Sequence, residues 1–197
     1  MRKKSHISLA MYLVHNLETT ELIKHRRSFY IGSILPDCKP SFLTTRHEFD
    51  GTFQMVKNRI LKLTTQTDFQ SDNSCSYMRD LGQIAHYIAD YFTYPHNEIY
   101  DGNLKDHCVY EKQLKFSLRE YIRSGEAERN QKLPHHFETP QALFTFIQKA
   151  HDEYLRMKHS VEEDCMYIVR ICHQVIAAIL QLFQKQLTQL TPAAVFA

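Results

Sequence analysis

Among the side chains between Gly82 and Glu111, five stand out as of the kinds that hold divalent metal ions: His86, Asp90, His96, His107 and Glu111. Imidazole nitrogens and carboxylate oxygens are ordinary donors to such ions. Their spacing is informative. His86 and Asp90 are four residues apart, so on a helix they share one face about 6 Å apart along the axis. His107 and Glu111 repeat the pattern. Between the pairs, Pro95 ends the first helix and Gly102-Asn103 turns the chain, with Asn103 or Asp106 placed to cap the second helix. Two helices joined in this way can turn two His/carboxylate faces toward each other, with His96 supplied by the connection. A merely solvated polar face accounts for one such pair, but poorly for two pairs and a further histidine. The other face of the first helix is apolar, through Leu81, Ile84, Ala85, Ile88, Ala89 and Phe92. An ionised Asp90 beside that face requires a compensating cation, and a metal ion is the economical one.

The elements that must position these groups are helical throughout. Only five glycines and six prolines interrupt long periodic apolar patterns, which predicts an all-α fold, a compact multi-helix bundle forming one domain over residues 1–197. A hydrophobic content of 43% with 23% charged residues is ordinary for a soluble globular chain. The net charge of +2 argues neither for nor against nucleic acid, and no basic run is long enough to add weight, so nucleic acid is not the expected partner. Five cysteines without a C-x-x-C spacing indicate neither a disulfide framework nor a zinc ribbon. Twelve histidines are the compositional hint of metal chemistry. The segment after Met1-Arg2-Lys3-Lys4 is broken by His6, His15 and Asn16 and lacks a small-residue cleavage site, so no signal peptide is expected. No run of about 18 apolar residues is present. The default expectation is a cytoplasmic protein without stable membrane insertion.

In chain order, Ser5 to about Lys24 reads as an amphipathic helix, with His6 in its first turn; taken alone, His6 is a surface or capping histidine. Phe29 to Asp37 reads as a short apolar piece crossing the core, after which Pro36 holds Asp37 outside regular helix. His47 follows ten residues later. A helix is predicted over Gln54–Leu63, and the polar stretch Thr64–Ser76 reads as an exposed loop. The second metal-bearing helix runs on through Leu114, Leu118 and Ile122 to Gly125. Glu126–Pro140 is a connector whose His135 and His136 are expected to be solvated. Two further helices are predicted over Gln141–His159 and Val161–Leu190, with His173 a surface or satisfied core histidine. His151-Asp152 matches the dipeptide of one metal phosphohydrolase class, but an upstream partner histidine in suitable context is lacking.

His6, the Leu-Pro-Asp aspartate Asp37, His47, H-x-x-x-D-x-x-x-x-x-H (His86, Asp90, His96) and H-x-x-x-E (His107, Glu111) together resemble the bacterial zinc-dependent phospholipase C family. That family includes the phosphatidylcholine-hydrolysing enzyme and the catalytic domain of clostridial alpha-toxin. The resemblance implies a bundle of many helices with its site in a cleft, and two to three divalent ions, zinc foremost. One ion would lie on Asp37, His47, His86 and Asp90, and a second on His96, His107 and Glu111. A third would lie on His6 and a bridging Asp90. In the secreted members an N-terminal tryptophan completes the third site through its amine and carbonyl. This chain has no tryptophan, so the third ion is expected to be weak or variable. The toxin's membrane-docking β domain is not expected here either.

Such a site suits hydrolysis of a phosphate ester by metal-activated water, with Asp37 as the proton acceptor. Three classes compete. A phospholipase C-like phosphodiesterase leads, acting on a small phosphodiester or a phospholipid. Single-strand nucleases and nucleotidases use nearly the same ligands but usually carry H-x-x-x-D where this chain has His107 to Glu111. A non-catalytic, metal-stabilised helical protein is the third. With no apolar rim or docking module read in the sequence, small or short-chain phosphodiesters are expected to be better substrates than bilayers.

Overall fold

A run of apolar residues at helical spacing from Tyr77 to Phe92 builds the element against which the rest of the chain packs. In the computed structural model, which describes residues 1–38, 47–65, 71–131 and 134–190, this run is the helix α5 (Ser71–Tyr91). Before it come α1 (Lys3–Leu17), α2 (Thr20–Lys24), α3 (Arg26–Ile34), a 3₁₀ turn over Pro36–Cys38, and α4 (Phe49–Thr65). After it come a 3₁₀ turn over Tyr94–His96, α6 (Leu104–Arg123), α7 (Glu126–Arg129), α8 (Pro140–Leu155) and α9 (Val161–Leu190). No strand occurs among the described residues, so the fold is all-α.

The closest packing is that of α3 on α5, where two glycines let the backbones touch. A Cβ on Gly82 would lie 2.2 Å from the Phe29 carbonyl oxygen and 2.8 Å from the Ser33 nitrogen. One on Gly32 would lie 2.2 Å from the Arg79 carbonyl oxygen. These atoms are backbone and cannot swing aside. Gly82→Ala is therefore expected to destabilise the fold by about 1–3 kcal/mol or more. It would also push Ser33 away from His86, one turn along α5. Urea unfolding of the variant checks this; an unchanged midpoint would mean that the helices are not in backbone contact.

α9 is the long core helix. Ile168, Val169, Cys172, Val175, Ile176 and Ile179 are fully or almost fully buried along one stripe. Over Val161–Gln189 the helix is long and apolar enough to cross a membrane, with a mean hydropathy of 1.6, but 72% of that window is buried against the other helices. Its apolarity thus has a sufficient cause in the core. Acidic Glu162, Glu163 and Asp164 occupy its first turn, where the helix dipole favours them.

Several local expectations change. The N-terminal helix breaks after Leu17, where Glu18 is left-handed at φ 45°, and restarts as the short α2. Phe29 to Ile34 belongs to α3, because Gly32 serves close packing and does not end the helix. The stretch expected as one loop over Thr64–Ser76 is helical at both ends. The α4 helix reaches Thr65 and α5 begins at Ser71, its polar first turn preceding the buried Tyr77 and Met78; residues 66–70 lie outside the described residues. In the connector, α7 adds a turn of helix, and residues 132–133 lie outside the description. The α8 helix starts where Thr139 caps Ala142 N at 3.2 Å with Pro140 beside it, and it ends at Leu155, short of His159. Asn103 caps α6 by accepting from Lys105 N and Asp106 N, and Asp106 accepts in return from Asn103 N.

Candidate metal centre

The i,i+4 spacing of His86 and Asp90 does put both on one face of α5, and that face meets the N-terminus, α1, the Pro36–Cys38 turn and His47. Asp90 is fully buried at the centre. Its two oxygens face different neighbours. Oδ2 lies 3.1 Å from His47 Nδ1 and 3.2 Å from His86 Nε2. Oδ1 lies 2.5 Å from the Met1 amine and 3.4 Å from His6 Nε2. Asp37 approaches from the turn, 3.6 Å from His86 Nε2 and 3.9 Å from His47 Nδ1. Across α6, Glu111 Oε1 lies 3.3 Å from His96 Nε2 and 3.5 Å from His107 Nε2. All eight residues picked out in the sequence (His6, Asp37, His47, His86, Asp90, His96, His107 and Glu111) therefore stand in one region.

Three groups of donors lie within 4.8 Å of one another: His6 with Asp37 and His86, His47 with His86 and Asp90, and His96 with His107 and Glu111. The last set matches the second ligand set expected from the resemblance. The others interleave the first and third sets, because His86 faces Asp37, His47 and Asp90 together while its ring stacks on His6 at 3.9 Å between centroids.

The donor chemistry fits a cation. Donors about 2.0–2.1 Å from one tetrahedral zinc ion stand roughly 3.4 Å apart. The His47, His86, Asp90 and Asp37 pairs at 3.0–3.9 Å span that spacing. His86 is oriented for the task. Its Nδ1 lies 2.8 Å from the Ser33 carbonyl oxygen, which only accepts. The proton of the neutral ring therefore sits on Nδ1, and Nε2 turns its lone pair into the cluster, as outer partners of metal-binding histidines arrange. The buried His6 has no partner at Nδ1, and its Nε2 has only the long 3.4 Å approach to Asp90 Oδ1, an expensive state that a cation at the ring would relieve. Burial, with the neighbouring His86 adding to it and Asp90 opposing, lowers its pKa to about 3, so the ring is neutral. Burial also lowers His96, with the Met1 ammonium adding to the effect. Asp90 stays ionised: burial opposes its charge, yet the Met1 ammonium and His96, His86 and His6 outweigh it and hold the carboxyl well below its ordinary value.

The Met1 amine itself reaches the cluster, 2.5 Å from Asp90, 2.9 Å from His96 Nε2 and 3.3 Å from Glu111. Arg2 steadies it by donating to the Cys108 carbonyl at 3.0 Å. As an ammonium, the Met1 amine is a cation set directly against the Asp90 carboxylate.

Other residues hold the ligands without being ligands, and the sequence reading missed them. Asp164, fully buried, accepts from Tyr94 N at 2.8 Å, Tyr110 Oη at 2.9 Å and Tyr154 Oη at 2.7 Å. Tyr94 and Tyr110 stand two residues and one residue before His96 and Glu111, so α9 fixes both. Asn97 donates to the Tyr91 and Thr93 carbonyls and faces His151 Nε2 at 2.9 Å. His151 in turn stacks on Phe49, two residues past His47, with centroids 4.0 Å apart. His151 thus holds ligand-bearing segments in place. One signal was available: Asp164 lies in register with Ile168, Cys172 and Ile179, a carboxylate on an otherwise apolar stripe. Two exposed apolar side chains near the ligands in sequence are also new. Ile99 and Leu104, in the segment between His96 and His107, are 42% and 79% exposed.

No curated protein and no solved structure matches the chain. A family model described as zinc dependent phospholipase C matches residues 5–161. That span holds all eight of the residues singled out above and most of the helices that carry them, and the helical architecture agrees with it. The chain belongs to the zinc-dependent phospholipase C family.

Proposed function

We propose that this chain is a metal-dependent phosphodiester hydrolase of phospholipase C-like type. The observation that carries the reading is Asp90. Its two carboxylate oxygens face two separate donor groups, His47 with His86 on one side and His6 with the Met1 amine on the other. That is the disposition of a bridging carboxylate, with His96, His107 and Glu111 as a further set beside it. Bound there, divalent ions would clamp phosphate oxygens, acidify a water and stabilise the leaving oxygen.

The chain's own residues supply the rest. His86, with its proton fixed on Nδ1 by Ser33, and His47 present nitrogen donors, and Asp90 sets their separation. Asp37, held by the turn after Pro36, is the group placed to accept the proton of an attacking water. Burial raises its pKa above the ordinary carboxylate value, a rise that His86 opposes and Asp90 reinforces, and a more basic carboxylate is a better proton acceptor near neutrality. The loop holding His96 is tied down by Asp164 and Asn97, which keeps the second set in register.

Ile99 and Leu104 favour a lipid-like substrate over a nucleotide, because they expose apolar side chains in the segment that joins His96 to His107. Magnitude limits the inference. Fully burying one such side chain contributes about 1.5–3 kcal/mol, and even a single fatty chain gives only reversible membrane binding. Short-chain lecithin is therefore expected to be turned over faster than intact phosphatidylcholine vesicles, with a soluble chromogenic phosphocholine ester also hydrolysed and a chelator abolishing all three. Leu104→Ser should lower kcat/KM on short-chain lecithin several-fold, on the order of 1 kcal/mol, and leave the soluble ester alone. Faster turnover of vesicles than of both other substrates would contradict this. Cleavage of single-stranded DNA with none of lecithin would replace it by the nuclease reading.

A further inference from the structure

The outer face of α6 is left open by the fold, and its sequence alternates cations with apolar side chains. Lys105, Val109, Lys112, Phe116 and Arg119 follow one another at spacings of four and three, so they form one stripe along the helix. All five are exposed, Val109 at 48% and Phe116 at 55%. The same helix buries Leu114 and Leu118 in the core, which turns the stripe to solvent. The start of α1 lies alongside, where Arg2 donates to the Cys108 carbonyl at 3.0 Å. On α1, Lys4 and Met11 are both exposed and, seven residues apart, share a face.

The cations crowd together without partners. Lys115 Nζ lies 4.0 Å from the centre of the Phe116 ring. Partial loss of solvent, and after it the charges of Lys4, Arg2, Arg119 and Lys112, hold its ammonium below its ordinary value. Arg59, Lys62 and Lys185, which pair with carboxylates, lie on α4 and α9. Among the described residues no carboxylate pairs with Lys4, Lys112, Lys115 or Arg119. Asp106 and Glu120 stand on α6 beside the stripe, but Asp106 is engaged in capping, where it accepts from Asn103 N. A chain with a net charge of only +2 thus gathers cations on one face, and an unpaired basic face calls for an anionic partner. Val109, Phe116 and Met11 among the cations distinguish that partner. The phosphates of a nucleic acid gain nothing from aliphatic groups, whereas a lipid surface offers anionic headgroups with apolar chains just beneath them.

We propose that the α1–α6 face docks this protein reversibly on an anionic lipid surface, its cations on the headgroups and Val109 and Phe116 at the boundary of the acyl chains. Arg2 follows Met1, and α6 also carries His107 and Glu111, so docking would hold the metal-ligand cluster beside the membrane. Zwitterionic phosphatidylcholine lacks the charge, so the slow turnover expected of phosphatidylcholine vesicles is unaffected. Docking needs neither metal nor turnover, so it stands or falls apart from the hydrolase reading.

The test uses the full chain as purified, sedimented with unilamellar vesicles of phosphatidylcholine alone or with about 30% phosphatidylserine. At about 0.1 M salt the phosphatidylserine vesicles should bind about tenfold tighter or more, and about 0.5 M salt should remove most of that difference. Each cation near an anionic surface changes binding roughly fivefold. Lys112→Gln combined with Arg119→Gln should therefore weaken it on the order of 25-fold. Lys4→Gln with Lys105→Gln serves the same purpose should that variant fail to fold. Phe116→Ser should weaken binding several-fold without changing its dependence on salt. Lys149→Gln with Lys158→Gln, exposed on α8 and just after it, should bind as the parent does. Metal content should be the same in all of them. The proposal is overturned by equal binding to both kinds of vesicle, by binding to neither, or by unchanged binding of a folded stripe variant. Tighter binding of a single-stranded oligonucleotide at the same salt, displacing the vesicles, would overturn it in favour of nucleic acid.

Discussion

Asp90→Asn is expected to lose metal and activity together, with kcat/KM on a soluble phosphocholine ester falling by about a thousandfold, some 4 kcal/mol of transition-state stabilisation. The substitution keeps the shape of the side chain and removes one charge. What it takes away is the common anion faced by His47 and His86 from one side and by His6 and the Met1 amine from the other. Neutral amides are poor substitutes for a bridging carboxylate, and the remaining histidines would hold ions separately and loosely. Glu111→Gln is the control of graded effect. It touches the His96–His107 set and, at 3.3 Å, the Met1 amine, so one ion should be weakened while the Asp37–His47–His86 side keeps its own. Full metal occupancy in both variants would show the ligand assignment to be wrong.

Acetylating the Met1 amine, or adding residues ahead of it, is expected to produce the second large effect. The ammonium lies against Asp90 in a fully buried pair, and removing one partner of such a pair costs about 3–5 kcal/mol. The pH dependence has a definite sign in chelator-treated protein. Burial opposes the ammonium charge, but Asp90, Glu111 and Asp37 outweigh it, so the amine's pKa is raised above its ordinary 8.0. A group whose pKa is higher folded than unfolded stabilises fully below its unfolded pKa and loses that contribution as pH rises through the folded one. Urea unfolding of the unmodified chain should therefore show stability declining from about pH 8 upward. The acetylated chain should be weaker at neutral pH and lack that decline. Identical stability curves for the two would remove the amine from the cluster.

Legibility in the sequence followed the range of the interaction. His86 with Asp90 and His107 with Glu111 are four apart on helices, so one turn of geometry predicts their shared faces, and the capping of α6 by Asn103 is equally local. The all-α architecture was visible because few glycines and prolines interrupt long amphipathic patterns. Contacts that depend on which helix meets which were not visible. Ser33 reaches His86 across 53 residues, His151 reaches Asn97 across 54, Tyr94 reaches Asp164 across 70, and Met1 reaches Asp90 across 89. No periodicity encodes these. Gly32 sits within a helix although glycine usually interrupts one, because its missing Cβ lets α3 lie on α5. The polar start of α5 read as loop because its first turn has no buried apolar residue to announce it, and the helix is fixed by Tyr77 and Met78 further on.

The central claim is that these donors hold metal ions, and elemental analysis of the full chain purified without chelator tests it most directly. At least two divalent ions per chain are predicted, zinc foremost, surviving gel filtration in the unmodified protein and depleted in Asp90→Asn. A well-folded protein that contains no zinc, iron, manganese or nickel, and takes up none on dialysis against zinc, would contradict the account.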